Sequence, residues 1–177
     1  MKLALKRAET TVNLCLDGAK YAEHKTASEE LERLKRERLN DDRLNSGIKT
    51  LAEKIISIET DMQKDTVQFT LRALARSDWD RLTTAHPAKE GNKADQAYGF
   101  NATSVAEEGI PLSIVGATKN GKKVDFDPTT DWSGLADEMS DTQYEDFVLA
   151  LFSLNRGRQD LPFSFSASQE IRNSDEK

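Results

Sequence analysis

Two histidines, His24 and His86, and a single cysteine, Cys15, are the side chains best suited to nucleophilic or metal chemistry. A protein metal site needs several ligands converging on one point. Here the histidines are separated by a long charged stretch and Cys15 has no second thiol, so no metal ligand set emerges. A nucleophile needs a base beside it. Cys15 sits among alternating apolar residues and reads as a small core side chain. His86 precedes Pro87 and reads as a helix stop, although a small hydrolase built on His86 is one reading of the chain. The 31 aspartates and glutamates fall mostly on solvated faces, where pairing any two as acid and base would be arbitrary. The nine glycines are isolated, so there is no phosphate-cradling loop. The expectation is a non-enzyme with no catalytic residue, no metal and no cofactor.

Composition narrows the classes further. The 177 residues suit one modest domain plus an extension, since domains run to roughly 100–150 residues. Hydrophobic residues make up 37% and charged residues 32%, lean for a compact globule but normal for a domain carrying a solvated coil. A net charge of −6 and a pI near 5.1 argue against nucleic acid, which requires a basic face. The basic run Arg33, Lys35, Arg36, Arg38 is offset by Glu29, Glu30, Glu32 and Glu37. A lone cysteine fits a reducing cytoplasm. Met1 to Arg7 is too poor in apolar residues for a signal peptide. No apolar run reaches the roughly 18 residues of a membrane span, so a soluble, intracellular protein is expected.

The element that must position any functional surface is the stretch 22–68, which contains neither proline nor an aromatic residue. From Glu29 to Lys64 it carries nine acids and eight bases. Leu44, Ile48, Leu51, Ile55, Ile58 and Met62 follow at spacings of four, three, four, three and four, a heptad seam. A helix with so narrow an apolar stripe cannot bury itself. It needs a partner helix, from its own chain, from a second copy or from a client, and these six residues are the candidate partner-binding set. Thr26 and Glu29 match a capping box, which places a helix start near residue 27. Extended backwards from Leu44, the seam meets Asp41 and Glu37. Asn40-Asp41-Asp42 and Asn45-Ser46-Gly47 add helix-breaking residues. Either two helices fold back as a hairpin or one long helix carries a stutter. The hairpin is favoured, because Leu31 and Leu34 could then cover the second stripe.

Around the coil the period is two. Val12, Leu14 and Leu16 alternate with Thr11, Asn13 and Cys15 in a short strand that stops at Asp17-Gly18. Val67, Phe69, Leu71 and Ala73 alternate with Gln68, Thr70 and Arg72 in another. Ser77 with Asp80 opens a short helix with Trp79 and Leu82 inward, ended at His86-Pro87. Residues 88–97 read as a polar, mobile loop. Ser104 with Glu107 caps a brief helix that Gly109 and Pro111 terminate. Residues 112–115 and 124–126 flank the hairpin turn Asn120-Gly121. Trp132, Leu135 and Met139 suggest a helix over 131–138. Ser140 and Gln143 form a capping box for a helix bearing Tyr144, Phe147, Val148, Leu151 and Phe152, stopped at Gly157. The fold class is α+β, mainly α. It divides into a strand segment (1–26), a coiled coil or helical hairpin (27–64), a compact domain (65–160) and a flexible tail (161–177).

Several ordered motifs resemble one family. The string Phe69-x-Leu71-x-x-Leu74-x-x-x-x-Trp79-x-x-Leu82-x-x-x-His86-Pro87, then Phe100-Asn101-Ala102-Thr103, is similar to the tail assembly chaperones of long-tailed phages of actinobacteria. So are Ser140-Asp141-Thr142-Gln143-Tyr144-x-x-Phe147, Leu154-Asn155-Arg156 and Pro162-Phe163-Ser164, and the start Val12-x-Leu14-Cys15-Leu16-Asp17-Gly18. The chain departs from the family over 104–130, where an Asn-Gly hairpin stands in place of a helical, aromatic-rich piece. The resemblance implies a non-enzymatic chaperone, in its short form, that binds the tape-measure protein and keeps it soluble while tail tube subunits assemble. It also implies a frameshift-extended form of the same protein as a partner, a host-cytoplasm location and absence from the mature virion. A homo-oligomer is a further possibility. A coiled-coil connector retained in the virion is the alternative.

Overall fold

The computed structural model describes residues 4–38 and 45–157. It shows a mainly helical α+β protein with one antiparallel sheet of order β1-β2-β3-β4. The strands are β1 (Glu9–Cys15), β2 (Thr66–Arg72), β3 (Ile114–Lys119) and β4 (Lys122–Lys123). Period-two alternation places Val12, Leu14, Val67, Phe69 and Leu71 on one face, where all five are buried. The opposite face is polar. Across it Arg72 Nε donates to Glu9 Oε1 at 2.7 Å, and Gln68 Nε2 donates to Asn13 Oδ1 at 3.4 Å. The register of β2 on β3 shifts between Thr70 and Leu71, which leaves Val115 as a bulge.

Helices α1 (Gly18–Arg38) and α2 (Asn45–Lys64) occupy the connection between the neighbouring strands β1 and β2. The last rung of that ladder is Leu16 N–H to Asp65 O at 2.9 Å, so the two helices leave the sheet as one arm. They are antiparallel: Lys54 pairs with Glu23, His24 with Glu59, and Ile55 and Ile58 pack with Ala27. The hairpin is therefore the observed arrangement. Its helix begins earlier than the position of Thr26 suggested. Asp17 Oδ1 accepts from the N–H groups of Ala19 and Lys20, both at 3.1 Å, and so caps α1 at Gly18. Thr26 lies inside the helix and its hydroxyl donates back to Ala22 O at 2.9 Å. The strand β1 thus belongs to the body, and residues 18–26 of that segment begin the arm.

The remaining helices are α3 (Arg76–Ala85), α4 (Lys93–Tyr98), α5 (Ala102–Ser113), α6 (Trp132–Asp137) and α7 (Asp141–Arg156). Three of them differ from the sequence expectation. At α3, Ser77 caps nothing; Ala75 precedes the helix without a side-chain cap. Within 88–97, Asn92 Oδ1 accepts from the N–H groups of Ala94 and Asp95, and Gly99 closes α4 at φ 80°. That stretch is a short helix with an anchored entry. Asn101, not Ser104, caps α5, and the helix runs through Gly109 and Pro111 to Ser113. Gly109 is needed there for space: a Cβ would lie 3.0 Å from side-chain carbons of both Leu82 and Leu151. Because α5 absorbs Leu112 and Ser113, the following strand starts at Ile114. The turn itself is as expected, with Asn120 at φ 52° and Gly121 at φ 73°. At α7 the Ser140–Gln143 capping box is present in both directions. Gly157 closes α7 at φ −62°, without left-handed geometry.

The core lies between the apolar sheet face and α5, α6 and α7. Phe147 is its centre, fully buried, with its ring centroid 5.4 Å from that of Phe69 and 4.9 Å from that of Trp132. A satellite cluster of Leu82, Phe100 and Val105 joins α3 to α5, with Trp79 and Phe152 packed against it. The arm has its own small cluster of Ala27, Ile55 and Ile58, flanked by Leu31, Leu51 and Met62.

Candidate functional site

The heptad seam lies along the inner side of the arm, but its residues differ in how fully α1 covers them. Ile55 and Ile58 are each 8% exposed, buried against Ala27. Ile48, Leu51 and Met62 are half-buried, and Leu44 lies outside the described residues. The unevenness follows from the composition of α1. Its inward line runs through His24, Ala27, Leu31 and Leu34, so toward its base α1 offers a polar and a small side chain where a full coiled coil would offer leucine. Ile56, one residue off the seam, is 61% exposed. Two helices joined this way bury little, and an added third helix would complete the packing.

The arm is fixed to the body at its base. Asp65, between α2 and β2, accepts from Lys20 Nζ at 2.7 Å and from Lys119 Nζ at 3.4 Å. Asn120 Nδ2 donates to Lys64 O at 3.3 Å. Hydrogen bonding from Lys20, then from Lys119, holds the Asp65 carboxyl below its ordinary value, and Asp65 raises Lys20 in turn. A carboxyl lowered on folding contributes stability above its unfolded pKa of about 3.9, and that contribution fades as pH falls through the lower folded value. Acidification below about pH 4 should therefore lower the thermal midpoint of wild type more than that of Asp65→Asn, followed by circular dichroism. The groups are one-third exposed and the shift in midpoint should be small and salt-sensitive.

The residues with chemical potential are dispersed. Cys15 is half-buried at the end of β1, its Sγ 3.6 Å from Asp17 O. His24 Nε2 lies 3.0 Å from Glu59 Oε1 and links the two arm helices. His86 Nε2 lies 2.8 Å from Glu108 Oε2 and links the end of α3 to α5. Among the described residues the His86 ring has no hydroxyl or thiol partner, so a base–carboxylate pair stands there without a nucleophile. Among the same residues, no three His, Cys, Asp or Glu side chains are grouped to hold a metal ion. No described helix is long and apolar enough to cross a membrane.

Asp95 was not singled out from the sequence, yet it is 2% exposed. Its two oxygens accept from Lys89 N–H at 3.1 Å and Ala102 N–H at 3.3 Å, tying the segment after α3 to the start of α5. The signal was Asn92 with Asp95 three residues on and Gly99 beyond, a cap at each end. Asp95→Ala should orphan both amides and cost about 2–4 kcal/mol in urea unfolding. Asp95→Asn keeps one acceptor oxygen and should cost roughly half that. An apolar concavity lies between α5 and α7, lined by Ala102, Ala106, Tyr144 and Val148. Burial, with Glu107 nearby, raises the Tyr144 hydroxyl pKa.

Compared with protein-family models, with curated proteins and with solved structures, the chain matches none.

Proposed function

We propose that this protein is a phage tail assembly chaperone that binds the tape-measure protein through the α1–α2 arm. The observation that carries the reading is the incomplete pairing of the seam. Leu51 and Met62 pack against Ala27, Ile55 and Ile58 yet stay half-buried, as does Ile48. An amphipathic client helix laid along the arm would supply the missing third surface, the helix-in-groove mode of recognition. The ordered motifs that resemble the actinobacterial tail assembly chaperones support the same reading.

Full burial of a leucine or isoleucine is worth about 1.5–3 kcal/mol, and half-buried residues have only part of that left to gain. One arm would therefore hold a client weakly and let it go, as an assembly factor must when tail tube subunits arrive. Several copies along one long helix would hold it well through multivalency. The reading places the protein in the host cytoplasm, acting with the tail tube protein and with a frameshift-extended form of itself, and not in the mature virion.

Co-expression with the tape-measure protein is the direct test. The soluble fraction of that protein should rise with wild type, and should fall back when Leu51 and Met62 are both replaced by aspartate. An unchanged soluble fraction with wild type would remove the proposal. Abundant copies in purified virions would favour a structural connector instead.

A further inference from the structure

We propose that the outer edge of β1 is a homodimer interface, where two copies join their sheets by antiparallel β1–β1 pairing. The inference stands apart from the role of the arm. At the two ends of the β1–β2 ladder, Ala73 N–H donates to Ala8 O and Leu16 N–H donates to Asp65 O. Even-numbered residues therefore bond to β2. Glu9, Thr11, Asn13 and Cys15 turn their N–H and C=O groups away from it. Among the described residues, one contact reaches this row: Gln143 Nε2 lies 3.5 Å from Cys15 O.

The two sides of the sheet are treated differently. Its far side ends in β4, two residues long and both lysine, which is how proteins guard an edge against other strands. β1 is seven residues long and carries no lysine, no proline and no bulge. From Thr10 to Cys15 it is uncharged, and its one charged residue, Glu9, is already paired with Arg72. A strand that open is a template for pairing.

A second copy fits it in register and in charge. Outward groups must meet outward groups, so odd residues must face odd residues. The full overlap of the seven-residue strand about its own centre, Val12, meets that condition. It sets Thr11 opposite Asn13 and Glu9 opposite Cys15. Two residues beyond each end of the strand, the exposed Arg7 of one copy falls in register with Asp17 of the other, so opposite charges approach at both ends. Arg7 also donates to its own Ala73 O at 3.1 Å, and Asp17 caps α1 and lies 3.5 Å from Lys20. Val12 and Leu14 remain on the core side, and the joined sheet has eight strands. The two arms, each about 30 Å long at 1.5 Å per residue, then leave from opposite ends.

The full chain should be tested by sedimentation equilibrium from about 1 µM to about 500 µM, because a single strand pair is a small interface with a roughly micromolar Kd. Wild type should move from 19.8 kDa to twice that mass. Asn13→Pro removes an outward N–H that β2 does not use, and should give a monomer with unchanged circular dichroism. If that variant does not fold, Thr11→Lys with Asn13→Lys decides, since it sets lysines against each other across the interface. Arg7→Glu should weaken the dimer about 3–10-fold, with the effect shrinking at high salt. A monomer at every concentration overturns the proposal, whether the edge is bare or covered by residues 158–177. A dimer that survives both edge variants, or ignores Arg7→Glu, overturns it as well.

Discussion

Replacing Ile55 and Ile58 together by aspartate should melt the arm and leave the sheet and its helices standing. Among the described residues the arm has three buried side chains, Ala27, Ile55 and Ile58, and these substitutions remove two of them. Each loses about 1.5–3 kcal/mol of transfer energy, and each adds a carboxylate that resists burial. Isolated helices of this length are marginal in water, so little remains to hold α1 and α2. At 21 and 20 residues they account for just under half of the described helix, so the far-ultraviolet signal should drop by a comparable share. Both tryptophans, Trp79 and Trp132, lie in the body and are packed in its clusters. Their emission should therefore stay put while the helical signal falls. A joint change in both signals would show that arm and body are one cooperative unit. Under the proposed function, the same variant should also lose the ability to keep the tape-measure protein soluble.

What the sequence made legible depended on whether a residue's partner lay nearby in the chain. Ser140 finds its cap partner three residues away at Gln143, and Asn120-Gly121 carries its turn within itself. The seam at 44–62 is visible as a period, and so is the alternation of β1 and β2. Thr26 misled because a capping-box pattern marks a start only where the preceding chain is extended. Here Asp17 had already begun the helix. Pro111 misled for the opposite reason: it sits one turn from the end of α5, where tertiary packing around Gly109 holds the helix together despite the missing donor. Asp95 could have been read from Asn92 and Gly99, but its bonds to Lys89 and Ala102 belong to the fold. The degree to which α1 covers the seam was likewise hidden, since it depends on which α1 residues face inward once the hairpin closes.

Phe147→Ala should have the opposite signature from the arm variant, a single transition in which everything is lost together. Phe147 is fully buried and its ring meets Phe69 and Trp132 edge-to-face. Truncating such a side chain costs about 3–5 kcal/mol, part of it from aromatic contacts worth about 0.5–1.5 kcal/mol each. Domains of this size are stable by only about 5–15 kcal/mol, so the urea midpoint should fall steeply or the protein should fail to fold. The arm cannot outlive the body, because its two helices are anchored by β1 and β2 and by the Asp65 ion pairs beneath them. Loss of the Phe69–Phe147 contact loosens the sheet face that carries both strands, and with it the base of the arm. Circular dichroism and tryptophan emission should therefore report the same lowered midpoint. Persistence of the arm's helical signal beyond the loss of Trp132 packing would show instead that the hairpin holds itself, and the dependence inferred from its place between β1 and β2 would be wrong.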